Sequence, residues 1–278
     1  MTPTYKIGVL GTGHAPSGGH TPPPQITPSP DFQAVLYEAK HGFFPGTHLG
    51  RELTRLETIE AGLRAAEDGC NALFINTIGD YAIEELRSAV NIPVVGAADA
   101  GLAIASQLGL TIGIVTIWPS SLEFIYRERL RTTGQEARVK SLRYVLEDAE
   151  MENLGSGEGD PVEQMRSGKA QILERIIASA NGAISKDGCD VILLGCTCMA
   201  PAYDRIAEKL AVPVVDGLRA GYAMAETLVR LNLTSSRRAY PKASKDSIEA
   251  AKNLVHGSMI DALEEDCEVC IVAGDEDV

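Results

Sequence analysis

The chain repeats itself, and that repeat constrains its fold more than any other feature. GCNALFIN followed by IPVVG, beginning at Gly69, matches GCDVILLG followed by VPVVDG, beginning at Gly188. KIGVLGTG (residues 6–13) matches TIGIVTIW (residues 111–118). Each second copy begins a little over a hundred residues after the first, far beyond the roughly 20–50-residue period of a solenoid. Val/Ile runs resemble one another by chance. A shared order of elements, a shared Gly-Cys opening and a shared Pro-Val-Val ending do not, so two similar halves are expected.

The repeated pieces are short apolar runs: residues 5–10, 72–75, 92–95, 111–115, 191–194 and 212–215. Between them the apolar spacing turns helical. Leu56, Ile59 and Leu63 fall on one face of residues 53–68, and Ile83, Leu86 and Val90 on one face of residues 81–90. Strands alternating with helices build parallel sheets, and near-continuous apolar strands are covered on both faces. The expected class is α/β, with two pseudo-symmetric Rossmann-like or flavodoxin-like halves and the active site in the crevice between them. The boundaries read as residues 1–97 plus 213–240 for the first half, 98–212 for the second, and 241–278 for a helical and acidic C-terminal extension. Residues 15–31, rich in proline, and the loop NLGSGEGD (residues 153–160) are candidate lids or plain surface connections.

A net charge of −13 without any stripe of Lys and Arg argues against nucleic acid and anionic membranes as partners. No apolar run approaches the ~20 residues of a membrane span. The opening MTPTYKIGVLG carries no basic head or cleavage site, which points to the cytoplasm. There the six cysteines read as reduced thiols. Cys70 and Cys189, each following a Gly before a strand, read as packing residues. Cys267 and Cys270 form an isolated C-x-x-C that lacks enough neighbouring ligands for zinc, so no metal and no cofactor are expected. GTGHAPSGG departs from G-x-G-x-x-G and runs into prolines, which excludes a dinucleotide site.

Ligands of open α/β sheets bind beyond the carboxyl ends of the strands. The residues there are Gly11, Thr12 and His14, then Asn76 and Thr77, Thr116, and Cys196, Thr197 and Cys198. Hydroxyls and backbone N–H groups at helix starts hold a carboxylate or an imide, and serve equally well as plain caps. Two residues beyond Cys196, Cys198 is expected to diverge from it as the chain turns into a helix, and to pack. Trp118 and Tyr126 are expected to pack beneath the crevice, and Asp216 to cap a helix.

The segments LGCTCMA, VPVVDGLRAGYAMAETLV, LTSSRRAY and IPVVGAADAG resemble the aspartate/glutamate racemase superfamily, in its hydantoin-racemase-like branch, over about residues 5–240. The resemblance implies two pseudo-symmetric α/β domains and cofactor-free, metal-free catalysis. It implies one cysteine ending a strand in each half, one thiolate removing a proton beside a carbonyl and the other thiol delivering one from the opposite face. Cys196 matches the second cysteine; the first position holds Thr77. A thiol ionises near pH 7, but a threonine hydroxyl does not, so Thr77 donates a hydrogen bond rather than acting as a base. This favours single-thiol chemistry at Cys196 on a small anionic or hydantoin-like substrate, as a lyase or ring hydrolase. Gly11, Thr12, His14, Asn76, Thr116 and Thr197 are the expected substrate ligands. One alternative is a racemase or isomerase whose second acid/base is Asp80, Tyr81 or Cys198. Another is a non-catalytic metabolite-binding protein. A homo-oligomer is compatible with the C-terminal extension.

Overall fold

The computed structural model describes residues 4–11 and 21–260. The first half contains strands β1 (Tyr5–Gly11) and β2 (Phe32–Glu38), helix α1 (His48–Glu67), β3 (Ala72–Ile75), α2 (Ile83–Ala89) and β4 (Val94–Gly96). After α3 (Ala97–Leu108) come β5 (Ile112–Thr116), α4 (Glu123–Thr133), β6 (Val139–Tyr144), α5 (Pro161–Arg166), α6 (Ala170–Ser185), β7 (Val191–Leu194), α7 (Tyr203–Ala207) and β8 (Val214–Asp216). The chain ends its described part with α8 (Gly217–Arg230) and α9 (Lys245–Ile260).

Two four-stranded parallel sheets result, ordered β2-β1-β3-β4 and β6-β5-β7-β8. The order is the same in both, as the repeat requires. The repeated glycines and cysteines occupy equivalent places. A Cβ on Gly8 of β1 would lie 3.4 Å from the Cys70 sulfur, and one on Gly113 of β5 would lie 3.1 Å from the Cys189 sulfur. Both cysteines are free and buried, and act as small packing residues.

Strand β8 pairs with β7, so the second sheet extends through Asp216, and α8 follows from Gly217. The apolar run 212–215 is a strand in its own right, and a strand stays with the sheet that satisfies its backbone.

Helices α3 and α8 close the two halves onto each other. Each begins directly after the last strand of one sheet and packs against the other sheet. A Cβ on Gly101 of α3 would come within 2.8 Å of Leu193 in β7; one on Gly221 of α8 would come within 2.1 Å of the Phe74 ring in β3. The missing side chains let each helix backbone approach the opposite half. The inner strand faces (Ile7, Val9, Ala72 and Phe74; Ile112, Ile114, Val191 and Leu193) and Leu102 and Leu218 form one continuous core. Alternate residues of the same strands face outward, Leu73 and Ile75 beneath α1 and α2 and Ile192 and Leu194 beneath α6. This period-2 division is what a sheet covered on both faces demands. At roughly 1.5–3 kcal/mol per fully buried large side chain, the shared core outweighs any single polar contact between the halves.

Ion pairs join the halves at one side. Glu128 of α4 takes Arg51 and Arg55 of α1. Residues 21–31 are anchored at two points: Ile26 is buried, and Glu226 of α8 accepts from the Ser29 backbone N–H at 2.9 Å and from its hydroxyl at 2.5 Å. No helix among the described residues is long and apolar enough to cross a membrane.

Candidate active site

The strand ends β3 and β7 meet where the two halves touch. Each strand is wholly buried, and the residues beyond it are half-exposed: Asn76 and Thr77 after β3, Cys196, Thr197 and Cys198 after β7. The Thr197 hydroxyl donates to the Asn76 carbonyl at 3.2 Å, which ties one strand end to the other. The Asn76 side-chain oxygen is buried and has no hydrogen-bond partner among the described residues.

Gly195 sets the path of the chain into Cys196. A Cβ there would lie 2.7 Å from the Thr116 Cβ, so β7 leaves the sheet closer to β5 than any other residue permits. The Gly195 carbonyl accepts from the Tyr126 hydroxyl at 2.7 Å and from the Thr116 hydroxyl at 3.3 Å, and the two hydroxyls lie 2.6 Å apart. Thr116 is therefore not a substrate ligand. It is 1% exposed and its hydroxyl is committed to the turn that carries Cys196. Tyr126 does pack beneath the crevice, 3% exposed, and burial pushes its phenol up. The sequence offered no sign of this bond, because the two partners lie on different elements. Trp118 is partly buried, with its ring centroid 5.5 Å from that of Phe44 in the first half.

Cys196 itself is extended (φ −152°, ψ 136°) and caps the 3-10 turn over Thr197–Ala202. Its sulfur accepts from the Cys198 backbone N–H at 3.1 Å. That turn also curls Cys198 back, and the two sulfurs are joined as a disulfide with Cα–Cα 5.1 Å. The expectation that Cys198 diverges from Cys196 fails at this pair. Cys196 itself is still extended, and the chain then turns so that the Cys198 N–H returns to the Cys196 sulfur, which leaves the two side chains on one side. Both thiols thus belong to one face, and Cys198 is not a second acid/base across from Cys196.

Opposite, the Thr77 turn is held from beneath. Gly79 N–H donates to the Thr77 hydroxyl at 3.3 Å, and Asp80 N–H to the Thr77 carbonyl at 3.1 Å. Asp80 and Ala82 both have positive φ, 43° and 61°, an uncommon and costly conformation for residues with a Cβ. The strain turns Asp80 away from the crevice. It is 1% exposed, and its two oxygens accept from Ala98 N–H at 2.9 Å and Asp99 N–H at 2.8 Å, capping α3. Burial and the neighbouring Asp99 raise its carboxyl, opposed by Arg129 3.7 Å away. Asp80 is therefore a structural anchor and not a second acid/base. Tyr81 lies under the same turn, 3% exposed, with its ring against Gly79, and burial pushes its phenol up.

A polar cavity of about 300 Å³ lies behind Asp80, lined by Glu84, Arg87, Asp99, Arg129, Thr133 and Tyr240. Its charges already satisfy one another: Arg129 pairs with Asp99 at 2.7 Å and Glu84 at 3.1 Å, and Arg87 with Asp99 at 3.1 Å. This network buttresses α2, α3 and α4. Of the remaining expected ligands, Gly11 ends β1 and accepts from Ala39 N–H at 3.1 Å, whereas Thr12 and His14 lie outside the described residues. So do Cys267 and Cys270. Among the described residues no group of three or more His, Cys, Asp or Glu side chains is arranged to hold a metal ion. Asp216 accepts from Leu218 N–H at 3.0 Å and caps α8 as expected.

Two parallel α/β halves, shared crossover helices and a sulfur at the end of a strand between them define a class of proteins that works in the cleft of a duplicated fold. The profile of the Asp/Glu/hydantoin racemase family matches residues 45–225, and the chain belongs to that family. A hydantoin racemase from a Pseudomonas strain is 29% identical over 198 residues, covering 70% of this chain and 74% of its own. An allantoin racemase structure from Pseudomonas fluorescens superposes with a TM-score of 0.72 at 25% identity, covering 86% of this chain and 97% of its own. A liganded variant of arylmalonate decarboxylase shares the fold at a TM-score of 0.61 and 16% identity, covering 86% and 100%.

Proposed function

We propose that this protein is a cofactor-independent racemase that moves a proton at a carbon beside a carbonyl in a small hydantoin-type ring. The observation that carries this reading is Cys196: half-exposed, at the end of β7, its sulfur held by a backbone N–H, and tied through Thr197 to the strand end of the other half. Two of the three proteins named above, those with the higher identity, are racemases of hydantoin and allantoin, which shifts the balance from the lyase or ring-hydrolase chemistry expected of a single thiol towards racemisation.

With the disulfide opened, the Cys196 thiolate removes the ring proton. A backbone N–H on the sulfur favours the anion that does so. The negative charge spreads onto the ring carbonyl oxygen, which hydroxyl and N–H donors at the two strand ends stabilise. The Thr77 hydroxyl faces the carbanion from the first half, and the Tyr81 phenol stands behind it. As Thr77 gives its proton to carbon, Tyr81 replaces it, and the tyrosinate regains a proton from solvent as the Cys196 thiol gives its own up. In the opposite direction the tyrosinate, acting through Thr77, is the base. Burial raises the Tyr81 phenol, so this face holds its proton more tightly than the thiol face does.

The asymmetry gives a measurable signature. In D₂O, the enantiomer whose hydrogen faces Cys196 should exchange it by return to the same face faster than it inverts. Proton NMR and chiral chromatography on one sample measure both rates. Equal exchange and inversion rates for both enantiomers would reject the Thr77–Tyr81 face. A second reading rests on the single thiol: loss of CO₂ from an activated acid, followed by transfer of the Cys196 proton to the carbanion, leaving the thiolate. Gas release from a disubstituted malonate, with no exchange into hydantoins, would select it. Ligand binding without either reaction would leave the metabolite-binding alternative.

A further inference from the structure

We propose that Cys196 and Cys198 form a reversible oxidation site, with hydroperoxides as the oxidant, that switches the crevice off by tying up the Cys196 sulfur. The claim that oxidation stops turnover rests on the racemase reading; the oxidation itself does not.

Three features of the local structure carry the proposal. The first is geometric. The turn that begins at Thr197 sets Cα–Cα at 5.1 Å, inside the usual range for a disulfide, and the two sulfurs are bonded here. The second is electronic. The Cys198 N–H points at the Cys196 sulfur, so the same turn that brings the partner thiol also favours a thiolate, the form that attacks peroxides. The third is access. Cys196 and Cys198 are half-exposed at the crevice, whereas Cys70 and Cys189 are buried in the cores and burial pushes their thiols up. Among the described residues, reactive sulfur is confined to this pair.

The chemistry is a two-electron oxidation in two steps. The Cys196 thiolate attacks one oxygen of the peroxide; the O–O bond breaks, a sulfenic acid forms and hydroxide or alkoxide leaves. The Cys198 thiol then attacks the Cys196 sulfur, the S–O bond breaks and water leaves, taking the thiol proton. Two sulfurs have lost two electrons, and the peroxide has gained them. A thiol reductant reverses the bond. While it stands, Cys196 has neither a charge to accept a proton nor a proton to give. Cys198 thus protects the site, because a sulfenic acid trapped as a disulfide is not oxidised onward to the irreversible sulfinic and sulfonic acids. Transient disulfides of this kind are the sort that reducing compartments tolerate.

The test uses the full chain, reduced and then treated with hydrogen peroxide. Iodoacetamide blocks the remaining thiols, and mass spectrometry with fragmentation distinguishes Cys196 and Cys198 from Cys189 on the same tryptic peptide. The expected result is a Cys196–Cys198 linkage in most molecules and full return of both thiols with dithiothreitol. In Cys198→Ser, Cys196 should instead accumulate as sulfinic and sulfonic acid, with only about a tenth or less recovered by reductant. The proposal is overturned if both residues stay alkylatable while Cys267 and Cys270 oxidise, or if Cys198→Ser recovers as completely as the parent. Turnover on the same samples separates the two readings. A reversible linkage in a protein with no racemase turnover keeps the oxidation site and rejects the racemase. Undiminished turnover at full linkage rejects the switch.

Discussion

The end of β3 and the end of β7 are built alike until the last residues. Both strands follow a Gly-Cys pair whose sulfur packs against a glycine of the neighbouring strand, and both are buried over their whole length. Beyond the strand they diverge. After β7 the chain enters a 3-10 turn that displays two sulfurs and is held from beneath by Tyr126. After β3 it enters a strained turn through Asp80 and Ala82, displays a hydroxyl, and rests on the Tyr81 ring at Gly79. The two supports come from different places in the repeat: Tyr81 follows β3, whereas Tyr126 lies on α4, after β5. In the proposed reaction one face presents a thiol and the other a hydroxyl.

The largest expected effect tests that contrast directly. Cys196→Ser should lower racemisation about 10³–10⁴-fold while circular dichroism and the melting temperature stay unchanged, because it removes the group that ionises most readily at neutral pH. Thr77→Ala should cost less, about 10²-fold, since Tyr81 and water still reach that face. Thr77→Cys should bring inversion up towards the rate of isotope exchange. If Thr77→Ala proved as damaging as Cys196→Ser, the two faces would be equivalent and the contrast would collapse.

A smaller effect compares the crossover helices. Gly221→Ala should destabilise the protein by about 1–3 kcal/mol, as an added methyl meets the rigid Phe74 ring at 2.1 Å. Gly101→Ala should cost less, because the atom it meets, 2.8 Å away, is the end of a leucine side chain that can rotate. Urea denaturation of both variants measures the difference; equal losses would show that the two halves pack with the same tolerance.

The smallest concerns acid. The Arg175 guanidinium holds the Glu150 carboxyl down to about 2, from an ordinary 4.5. A lowered carboxylate stabilises the fold fully above pH 4.5 and loses that contribution as pH falls from 4.5 through 2. Because the two side chains are 34–36% exposed and solvent screens the pair, the loss should stay under about 1 kcal/mol. Glu150→Gln should flatten that part of the stability–pH curve by the same amount and leave pH 7 kinetics alone. A larger change would make this edge of the second half a principal support of its fold.

The six apolar runs all became strands, and the two helices whose spacing was read directly became α1 and α2. The edge strands β2 and β6 escaped notice. FQAVLYE and VKSLRY mix polar and apolar residues, because an edge strand is covered on fewer sides and needs no continuous apolar run. At the site, Cys196, Thr77, Asn76 and Thr197 sit at the meeting of the strand ends, where the repeat placed them. Asp80, Thr116 and Cys198 are misread from spacing alone. A positive φ turns Asp80 away, a tyrosine ten residues further along takes up Thr116, and a 3-10 turn folds Cys198 onto its neighbour.

The amino-acid sequence by itself determined the doubling, the parallel sheets and the strand ends that face the cleft. These follow from which residues are apolar and at what period, and water enforces that locally. Only the tertiary structure decided which side chains at those ends remain open to a ligand. That choice depends on partners brought from distant elements, on the left-handed turn after Thr77 and on the tight turn after Cys196, and no local pattern of polarity encodes such meetings.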